Sequence, residues 1–308
     1  MYKKNIRAVD QLLIDKNISK HAHQNKRNLY VSWIDYRKAF DSVSHDWIFK
    51  CFSIFKVNEK LKNFLSQAFN LFKTSLTYKN VQIGSIDIKQ GIYQGDSLSP
   101  LLFIMSLIPL STLLNKQTKG YTIGTNKNKE HISHLLFVDD IKLYATSEKN
   151  LKNLLHTTER FSNDVGLHFG FPKCSITVMK KGVPQEITSI LMNKGVIHPL
   201  QEEYKYLGIN QTTTTLTNKS KEELKDKYFE RLEHLLKTKL SSKNTINAIN
   251  MFCIPVITYA ASCLEWTEEE LRTIDINTRK EITKHGLFHK NSCTLRLYVS
   301  RKKEGEGF

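Results

Sequence analysis

The segment HLLFVDDIKL, residues 134–143, places two adjacent carboxylates between two apolar stretches. The first stretch ends at Asp139 and Asp140, and the second, in which apolar and polar residues alternate, begins at Ile141. Because this alternation is typical of half-buried strands, the segment predicts a β-hairpin with the two acids at its turn. Adjacent carboxylates repel each other unless a cation or water compensates their charge. Asp is also a common turn residue, so the segment alone leaves a solvated turn and a cation site as alternatives.

The composition of the chain favours a polyanionic partner. Its 308 residues are enough for a substantial core and more than one domain. The 46 Lys and Arg residues exceed the 30 Asp and Glu residues, which gives a formal net charge of +16 and a pI near 9.5. Such a surface attracts polyanions, and nucleic acid is the first candidate. A soluble basic protein without such a partner is the alternative that charge alone leaves open.

Cysteine usage and hydropathy indicate an intracellular protein. The five cysteines are scattered, odd in number and without a CxxC pair, a pattern typical of reduced thiols. No apolar run approaches the roughly 18–20 residues of a membrane span, and residues 98–110, the longest candidate, contain Pro100 and Pro109. The first residues lack the apolar core of a secretory signal. We therefore expect a protein of the cytoplasm or the nucleus with no membrane partner.

The order of predicted elements favours an α+β fold. Strand and helix patterns are mixed without regular alternation, which favours a sheet with helices on one face over a doubly wound fold. After about Thr212 the strand signals end, and a polar linker leads into a segment that is helical throughout. We predict an N-terminal helix within residues 1–30, an α+β domain at 31–212 and a helical domain at 213–308.

A second acidic motif changes the interpretation of the hairpin. The segment WIDYRKAFDSV, residues 33–43, places Asp35 at the end of an apolar strand. Pairing of this strand with the hairpin would bring Asp35 beside Asp139 and Asp140. Three such carboxylates are able to hold two divalent metal ions for in-line phosphoryl transfer. Mg²⁺ suits this site, because it is a hard cation that binds carboxylates and substrate phosphates.

A glycine-containing loop lies between the two acidic motifs. In GIYQGDSLSP, residues 91–100, Gln94 and Gly95 precede a helix that we expect to begin with Ser99 as N-cap and Pro100 in its first turn. A glycine allows close approach of the backbone to a ligand. An ordinary capped helix after a turn is the alternative interpretation.

The motifs occur in an order that resembles one enzyme family. Five segments follow one another: IDYRKAFDSV (34–43), QGDSLSPLLF (94–103), FVDD (137–140), GLHFGFPKC (166–174) and YKYLGI (204–209). This succession resembles palm motifs A to E of reverse transcriptases from non-LTR (LINE-like) retrotransposons, of the type in invertebrate elements that carry a restriction-like endonuclease. The resemblance implies a polymerase palm, with an antiparallel sheet and helices on one face, followed by a helical thumb. Only residues 1–30 would remain of the fingers, which are otherwise missing.

The resemblance implies catalytic roles for matching residues. Asp35 and Asp139 would be metal ligands, with Asp140 beside them as a third. Lys173 would protonate the pyrophosphate leaving group, although a solvated surface lysine is the alternative. The segment departs from the family at Gly170, where Asn is more usual.

The resemblance also implies residues that contact substrates. Phe40 matches the bulky residue that excludes a ribose 2′-hydroxyl, and Tyr36 would be a further substrate-binding residue. Gln94 and Gly95 would line the pocket for template and nucleotide. Residues 204–208 would form the primer grip.

Together these features predict an RNA-directed DNA polymerase, here as a truncated fragment. Its cofactors would be two Mg²⁺ ions, for which Mn²⁺ could substitute, and its partners an RNA template, a DNA primer and deoxynucleoside triphosphates. The alternative is a catalytically inactive, nucleic-acid-binding remnant of such an element. Carboxylates that face a polyanion do not help a pure binder, which favours an ancestral catalytic site. A metal-dependent nuclease uses the same chemistry, but Phe40 and the Gln94–Gly95 loop fit a polymerase better.

Overall fold

Helices and strands are mixed along the chain in this computed structural model, which describes residues 7–117, 119–125, 128–212, 218–238, 240–261, 263–303 and 305–308. The helices are α1 (Ala8–Gln24), α2 (Ala39–Ser42), α3 (His45–Ile54), α4 (Glu59–Asn70), α5 (Ser99–Lys116), α6 (Glu148–Asp164), α7 (Asn218–Leu236), α8 (Ser242–Ala248), α9 (Ile254–Ala261), α10 (Glu268–Lys284) and α11 (Thr294–Tyr298). The strands are β1 (Leu29–Ile34), β2 (Lys73–Tyr78), β3 (Val81–Asp87), β4 (Tyr121–Thr125), β5 (Asn128–Ile132), β6 (His134–Phe137), β7 (Asp140–Ala145), β8 (Ser175–Lys180), β9 (Val183–Gln185), β10 (Ile190–Leu191), β11 (Val196–Pro199), β12 (Tyr204–Tyr206) and β13 (Ile209–Gln211).

The chain forms two compact units, one of which contains the main sheet. This unit comprises Asn17–Tyr204, and the other comprises Met1–Lys16 with Lys205–Phe308. The predicted boundary between residues 212 and 213 lies a few residues after this division. Residues 213–217 lie outside the described residues, as do residues 1–6.

Strand β1 lies at the centre of the seven-stranded sheet that the described residues form. The strand order is β10-β11-β8-β1-β7-β6, with β9 paired to β8. Strand β1 is antiparallel to both β7 and β8, and β11 is parallel to β8. The α+β class predicted from the sequence is confirmed, although the sheet is mixed because of the β8–β11 pair.

One face of the sheet packs on helices α5 and α6, and helices α3 and α4 add to the same core. All six residues of β1 are buried, which agrees with its composition, apolar except for Ser32, and with its two neighbouring strands. Along β7 the side chains alternate, and those on the helix side join the core. The core of this unit includes Ile34, Ile141, Leu143, Ile176, Phe52, Phe69, Phe103, Leu107, Leu151 and Leu155.

Local signals position several element ends. Helix α6 begins after Ser147, whose side chain accepts a hydrogen bond from the Asn150 amide. It ends before Gly166, which has a φ of +86° as expected for a C-terminal glycine. Helix α5 begins one residue earlier than predicted, with Leu98 as N-cap. The side-chain acceptor there is Asp96, which binds the Leu98 amide at 3.0 Å.

Helix α5 is long and apolar enough by composition to cross a membrane, with a mean hydropathy of 1.3 over 18 residues. In this fold it supplies core residues, among them Leu102, Phe103, Leu107 and Leu110. Its composition is therefore accounted for by packing, and a single helix of this kind is weak evidence for a membrane span.

Strands β2 and β3 form a separate hairpin with exposed side chains. Its turn is Lys79–Asn80, and both residues have positive φ angles, as in a type I′ turn. Every residue of β2 is exposed, and so is all of β3 except Gly84. The exposed side chains include Leu76, Tyr78, Val81, Ile83 and Ile86.

The second unit is mainly helical in its described C-terminal part, as predicted. Helices α7 to α11 surround a core that includes Tyr228, Leu232, Ile246, Ile257, Ile274 and Ile282. The Tyr228 hydroxyl is hydrogen-bonded to Thr278 Oγ1 at 3.0 Å within this core. Helix α10 begins with a capping box, in which Thr267 and Glu270 each bond the other's backbone amide.

Candidate active site

The pairing of β1 with β7 brings the acidic motifs to one edge of the sheet. Ile34, the last residue of β1, lies opposite Ile141, so the next residues outward are Asp35 on one strand and Asp140 on the other. Because β8 is also antiparallel to β1, its first residues lie at the same edge. Trp33 is paired with Ser175, and the residues just before Ser175 therefore reach Asp35.

The turn between β6 and β7 has a strained conformation. Phe137 pairs with Asp140, which leaves Val138 and Asp139 as a two-residue turn. Val138 has a φ of +54°, and a β-branched residue in this region is a steric outlier. Strain of this kind costs on the order of 1–3 kcal/mol and is frequent at functional sites. The predicted hairpin is thus present, with Asp139 in its turn and Asp140 at the start of the strand.

Burial and the charges of neighbouring acids raise the pKa values of Asp35 and Asp140. Burial raises the pKa of Asp35, the Lys173 ammonium opposes this, and the negative charge of Asp139 adds to it. Burial raises the pKa of Asp140 to about 6, with further contributions from the charges of Asp139 and Asp35. Burial and both neighbouring acids therefore disfavour the ionised form of Asp140, whereas Lys173 partly compensates the charge of Asp35.

The loop before β8 surrounds Asp35. The Gly170 amide donates a hydrogen bond to the Asp35 carbonyl at 2.8 Å. Cys174 is buried, and its Sγ lies 3.5 Å from the Asp35 amide nitrogen, which donates to it. Lys173 is largely exposed, and its Nζ lies 3.8 Å from Asp35 Oδ2. The structure thus places Lys173 beside an acid of the candidate site, whereas the catalytic role that the resemblance implies for it stays a prediction.

Residues of this edge could supply oxygen ligands to a divalent cation. The described residues contain no group of three or more His, Cys, Asp or Glu side chains arranged to hold a metal ion together. The pairing of the strands brings Asp35, Asp139 and Asp140 to one edge of the sheet, and their joint binding of a metal ion stays a prediction. The chemistry of the donors nonetheless fits Mg²⁺, because the site offers hard carboxylate oxygens whose mutual repulsion a cation would relieve.

Tyr36 and Phe40 lie inside the fold. Tyr36 is 4% exposed, and its hydroxyl is hydrogen-bonded to Ser162 Oγ at 2.7 Å. Its side chain faces the core, and the substrate-binding role expected of Tyr36 stays a prediction. Phe40 is partly buried and stacks on Phe103 with ring centroids 5.0 Å apart. The stacking fixes the Phe40 ring, and this is compatible with both a core and a substrate-excluding role.

Gln94 and Gly95 form an exposed turn before α5. The Asp96 amide donates to the Tyr93 carbonyl at 3.4 Å, and Gly95 between them has a φ of +95°. A Cβ added at Gly95 would meet no atom within 4 Å. The backbone conformation therefore accounts for glycine here, and the turn stays accessible to a ligand.

Comparison with known proteins places these motifs in one family. A family model described as "Reverse transcriptase (RNA-dependent DNA polymerase)" matches residues 2–211. The chain belongs to the reverse transcriptase family. The resemblance to non-LTR retrotransposon reverse transcriptases is also confirmed, because the chain matches Pol polyproteins of R2 retrotransposable elements.

The matching relatives are much longer than this reverse transcriptase chain. It is 29% identical to the R2DM Pol polyprotein of Drosophila melanogaster over 215 residues, which are 67% of this chain and 20% of the relative. It is 32% identical to an R2 Pol polyprotein of Popillia japonica, over 65% of this chain and 29% of the relative. The chain thus spans less than a third of the length of these relatives. A structure of Candida tropicalis telomerase with a telomeric RNA fragment aligns at 15% identity and a TM-score of 0.48, covering 92% of this chain and 47% of that chain.

An aromatic layer beneath the acids was not predicted from the sequence. Trp33 is buried, and Tyr204 stacks on it with ring centroids 4.9 Å apart. The Lys142 ammonium lies 4.4 Å from the Trp33 ring centroid. Because Trp33 and Lys142 are two residues from Asp35 and Asp140 on paired strands, they share the face of this reverse transcriptase sheet that bears those acids. In the sequence, Trp33 lies two residues before Asp35 and Lys142 two residues after Asp140. Because alternate residues of a strand share a face, this spacing would have identified the two side chains.

Proposed function

We propose that this chain catalyses RNA-directed DNA synthesis as the polymerase of a non-LTR retrotransposon. Its substrates would be an RNA template, a DNA primer and deoxynucleoside triphosphates. The observation that carries the proposal is the position of Asp35 and Asp140 at adjacent strand ends, beside Asp139, in a chain with reverse transcriptase motifs. The net charge of +16 supports a nucleic-acid partner.

The carboxylates of Asp35, Asp139 and Asp140 would hold the cations of this reaction. When bound, Mg²⁺ supplies charge stabilisation to the transferring phosphoryl group and activates the attacking primer hydroxyl. The protein's part is then largely positioning and charge neutralisation. Mn²⁺ is an expected substitute, since it also binds carboxylate oxygens.

Other residues of the site would orient the substrates. The ammonium of Lys173 would hold a proton for the departing pyrophosphate. The Phe40 ring, held by its stacking on Phe103, would form the wall on the ribose side. The exposed Gln94–Gly95 turn would present its backbone to template and nucleotide.

Primer extension on poly(rA)–oligo(dT) with Mg²⁺ tests this proposal directly. Duplex binding is measured in parallel on wild type, Asp139→Asn and the control Asp164→Asn, which changes an exposed acid at the end of α6. We expect Asp139→Asn to abolish extension while duplex binding is retained or slightly tightened, because a negative charge near the phosphates is removed. Extension that survives in Asp139→Asn would disprove the assigned metal site.

A second candidate function is nucleic-acid binding without turnover. The excess of 46 basic over 30 acidic residues favours it, since this charge is sufficient for backbone binding without a catalytic site. Both functions require duplex affinity that falls steeply with salt, because each neutralised phosphate releases a counterion. Steep salt dependence without any extension at high nucleotide concentration would select this candidate over the polymerase.

A further inference from the structure

The carboxylate of Asp35 occupies a position that is left open by the absence of a side chain at residue 170. A Cβ added at Gly170 would lie 2.7 Å from Asp35 Oδ2, which is closer than non-bonded carbon and oxygen atoms approach. The same carboxylate oxygen is 3.8 Å from Lys173 Nζ. Gly170 and Lys173, three residues apart in one loop, therefore border the position of this carboxylate.

The backbone of Gly170 does not itself require glycine. Its φ of −83° and ψ of 66° correspond to an inverse γ-turn, which other residues adopt. Its amide bonds the Asp35 carbonyl at 2.8 Å, and an alanine would retain this bond. A substitution at this position would therefore change mainly the space beside Asp35 Oδ2.

The local charges favour the same position. The Lys173 ammonium lies 3.8 Å from Asp35 Oδ2 and attracts it, whereas Asp139 in the adjacent turn carries a charge of the same sign as Asp35. Among the described side chains, Asp35 does not join its neighbouring acids in a three-ligand cluster. Attraction on one side and repulsion on the other thus hold the carboxylate near Lys173.

We infer that Gly170 and Lys173 form a resting site for the Asp35 carboxylate, which this carboxylate leaves to bind a divalent cation with Asp139. These two residues therefore lower the cation affinity of the chain. The inference rests on the proposed function, because it deepens the assignment of Asp35 as a metal ligand. Departure of the carboxylate also separates Lys173 from its partner and makes its ammonium available to substrate.

Mn²⁺ binding to the 308-residue chain tests the inference without an activity measurement. The free Mn²⁺ signal in electron paramagnetic resonance gives Kd for wild type, Gly170→Ala, Lys173→Met and the control Lys180→Met. Lys180 is exposed at the other end of β8. In Gly170→Ala the added methyl group occupies the space of the Asp35 carboxylate in its resting position. Lys173→Met removes the positive charge beside that position. Because the loss of a solvent-exposed ion pair is a small effect, we expect Mn²⁺ to bind each about two- to fivefold tighter than wild type.

The outcomes separate this inference from the proposed function. Tighter binding in both Gly170→Ala and Lys173→Met, with Lys180→Met unchanged, supports the resting site. If wild type binds Mn²⁺, and either Gly170→Ala or Lys173→Met binds it with equal or lower affinity than wild type, the resting site is overturned. The metal-site assignment then remains intact. A wild-type chain that binds no Mn²⁺ overturns the proposed metal site and the resting site together. Circular dichroism of each variant establishes that it is folded.

Discussion

Asp140 in the sheet unit and Glu270 in the helical unit are carboxylates whose pKa values are displaced in opposite directions. Burial and the charges of Asp139 and Asp35 raise the pKa of Asp140 to about 6. A hydrogen bond from the Lys221 ammonium, followed by one from the Thr267 backbone, lowers the pKa of Glu270 to about 2. The Lys221 side chain is largely buried and makes contacts of 2.9 and 3.0 Å to the two carboxylate oxygens.

The difference lies in the compensation of charge. At Glu270 the fold supplies a cation and a backbone donor, so the carboxylate stabilises the start of α10. At Asp140 the neighbouring groups are other acids, and ionisation is unfavourable without an external cation. A carboxylate group that a fold leaves uncompensated is a candidate for function, whereas a fully paired carboxylate is explained by structure alone.

Removal of the Asp139 charge should produce the largest change. In Asp139→Asn we expect at least about a hundredfold loss of primer extension, since metal-assisted charge stabilisation contributes several kcal/mol. The pKa of Asp140 should also fall, because Asp139 is one of the charges that raise it. Titration of the Asp140 carboxyl by NMR measures this. An unchanged Asp140 pKa would show that the charge of Asp139 does not contribute to the shift.

Removal of the Lys221 charge should leave the carboxylate of Glu270 without its cation. In Lys221→Met we expect the pKa of Glu270 to rise toward 4.5 and the thermal midpoint to fall, because the partner of Glu270 is lost. Lys227→Met, which changes an exposed lysine of the same helix, serves as the control. Glu270 stabilises the fold above pH 4.5, and this contribution is lost as pH falls toward 2. If wild type and Lys221→Met unfold at the same acid pH, the pairing of Lys221 with Glu270 does not stabilise the fold.

The stabilising effect of Mg²⁺ should depend on pH. The raised pKa of Asp140 favours the folded state fully below 3.8, and this contribution is lost as pH rises through 6. A divalent cation binds the ionised carboxylate, so Mg²⁺ should raise the thermal midpoint more at pH 7 than at pH 5. Differential scanning fluorimetry at both pH values measures the shift. Equal shifts would indicate that Mg²⁺ binds elsewhere.

Loss of the α10 cap should be the smallest effect. In Thr267→Ala we expect a loss of about 1 kcal/mol in the free energy of unfolding, since the side-chain acceptor for the Glu270 amide is removed. Thr267→Ser keeps the acceptor oxygen and should remain near wild type. Urea denaturation of the two variants measures the difference. Equal destabilisation by both would assign the effect to the lost methyl group instead.

Local patterns in the sequence were sufficient for the elements that carry the acids. Alternation after Asp140 predicts β7, the apolar run before Asp35 predicts β1, and Gly166 marks the end of α6. Each of these signals depends on neighbouring residues, because backbone conformation and side-chain periodicity are local properties. The segment 167–171, whose aromatic and apolar residues favour a strand, instead forms only an isolated bridge at Phe169 and then a short 3₁₀ turn, because its backbone bonds the loop around Asp35.

Contacts between distant segments were decided by the tertiary structure alone. The sequence determined that Asp35, Asp139 and Asp140 follow or begin strands, and the order of motifs indicated the family. Only the fold placed β1 between β7 and β8, and thereby brought Gly170 and Lys173 to Asp35. Only the fold turned Tyr36 into the core. The physical reason is that strand order and side-chain orientation depend on packing among residues more than 100 positions apart, which no local pattern specifies.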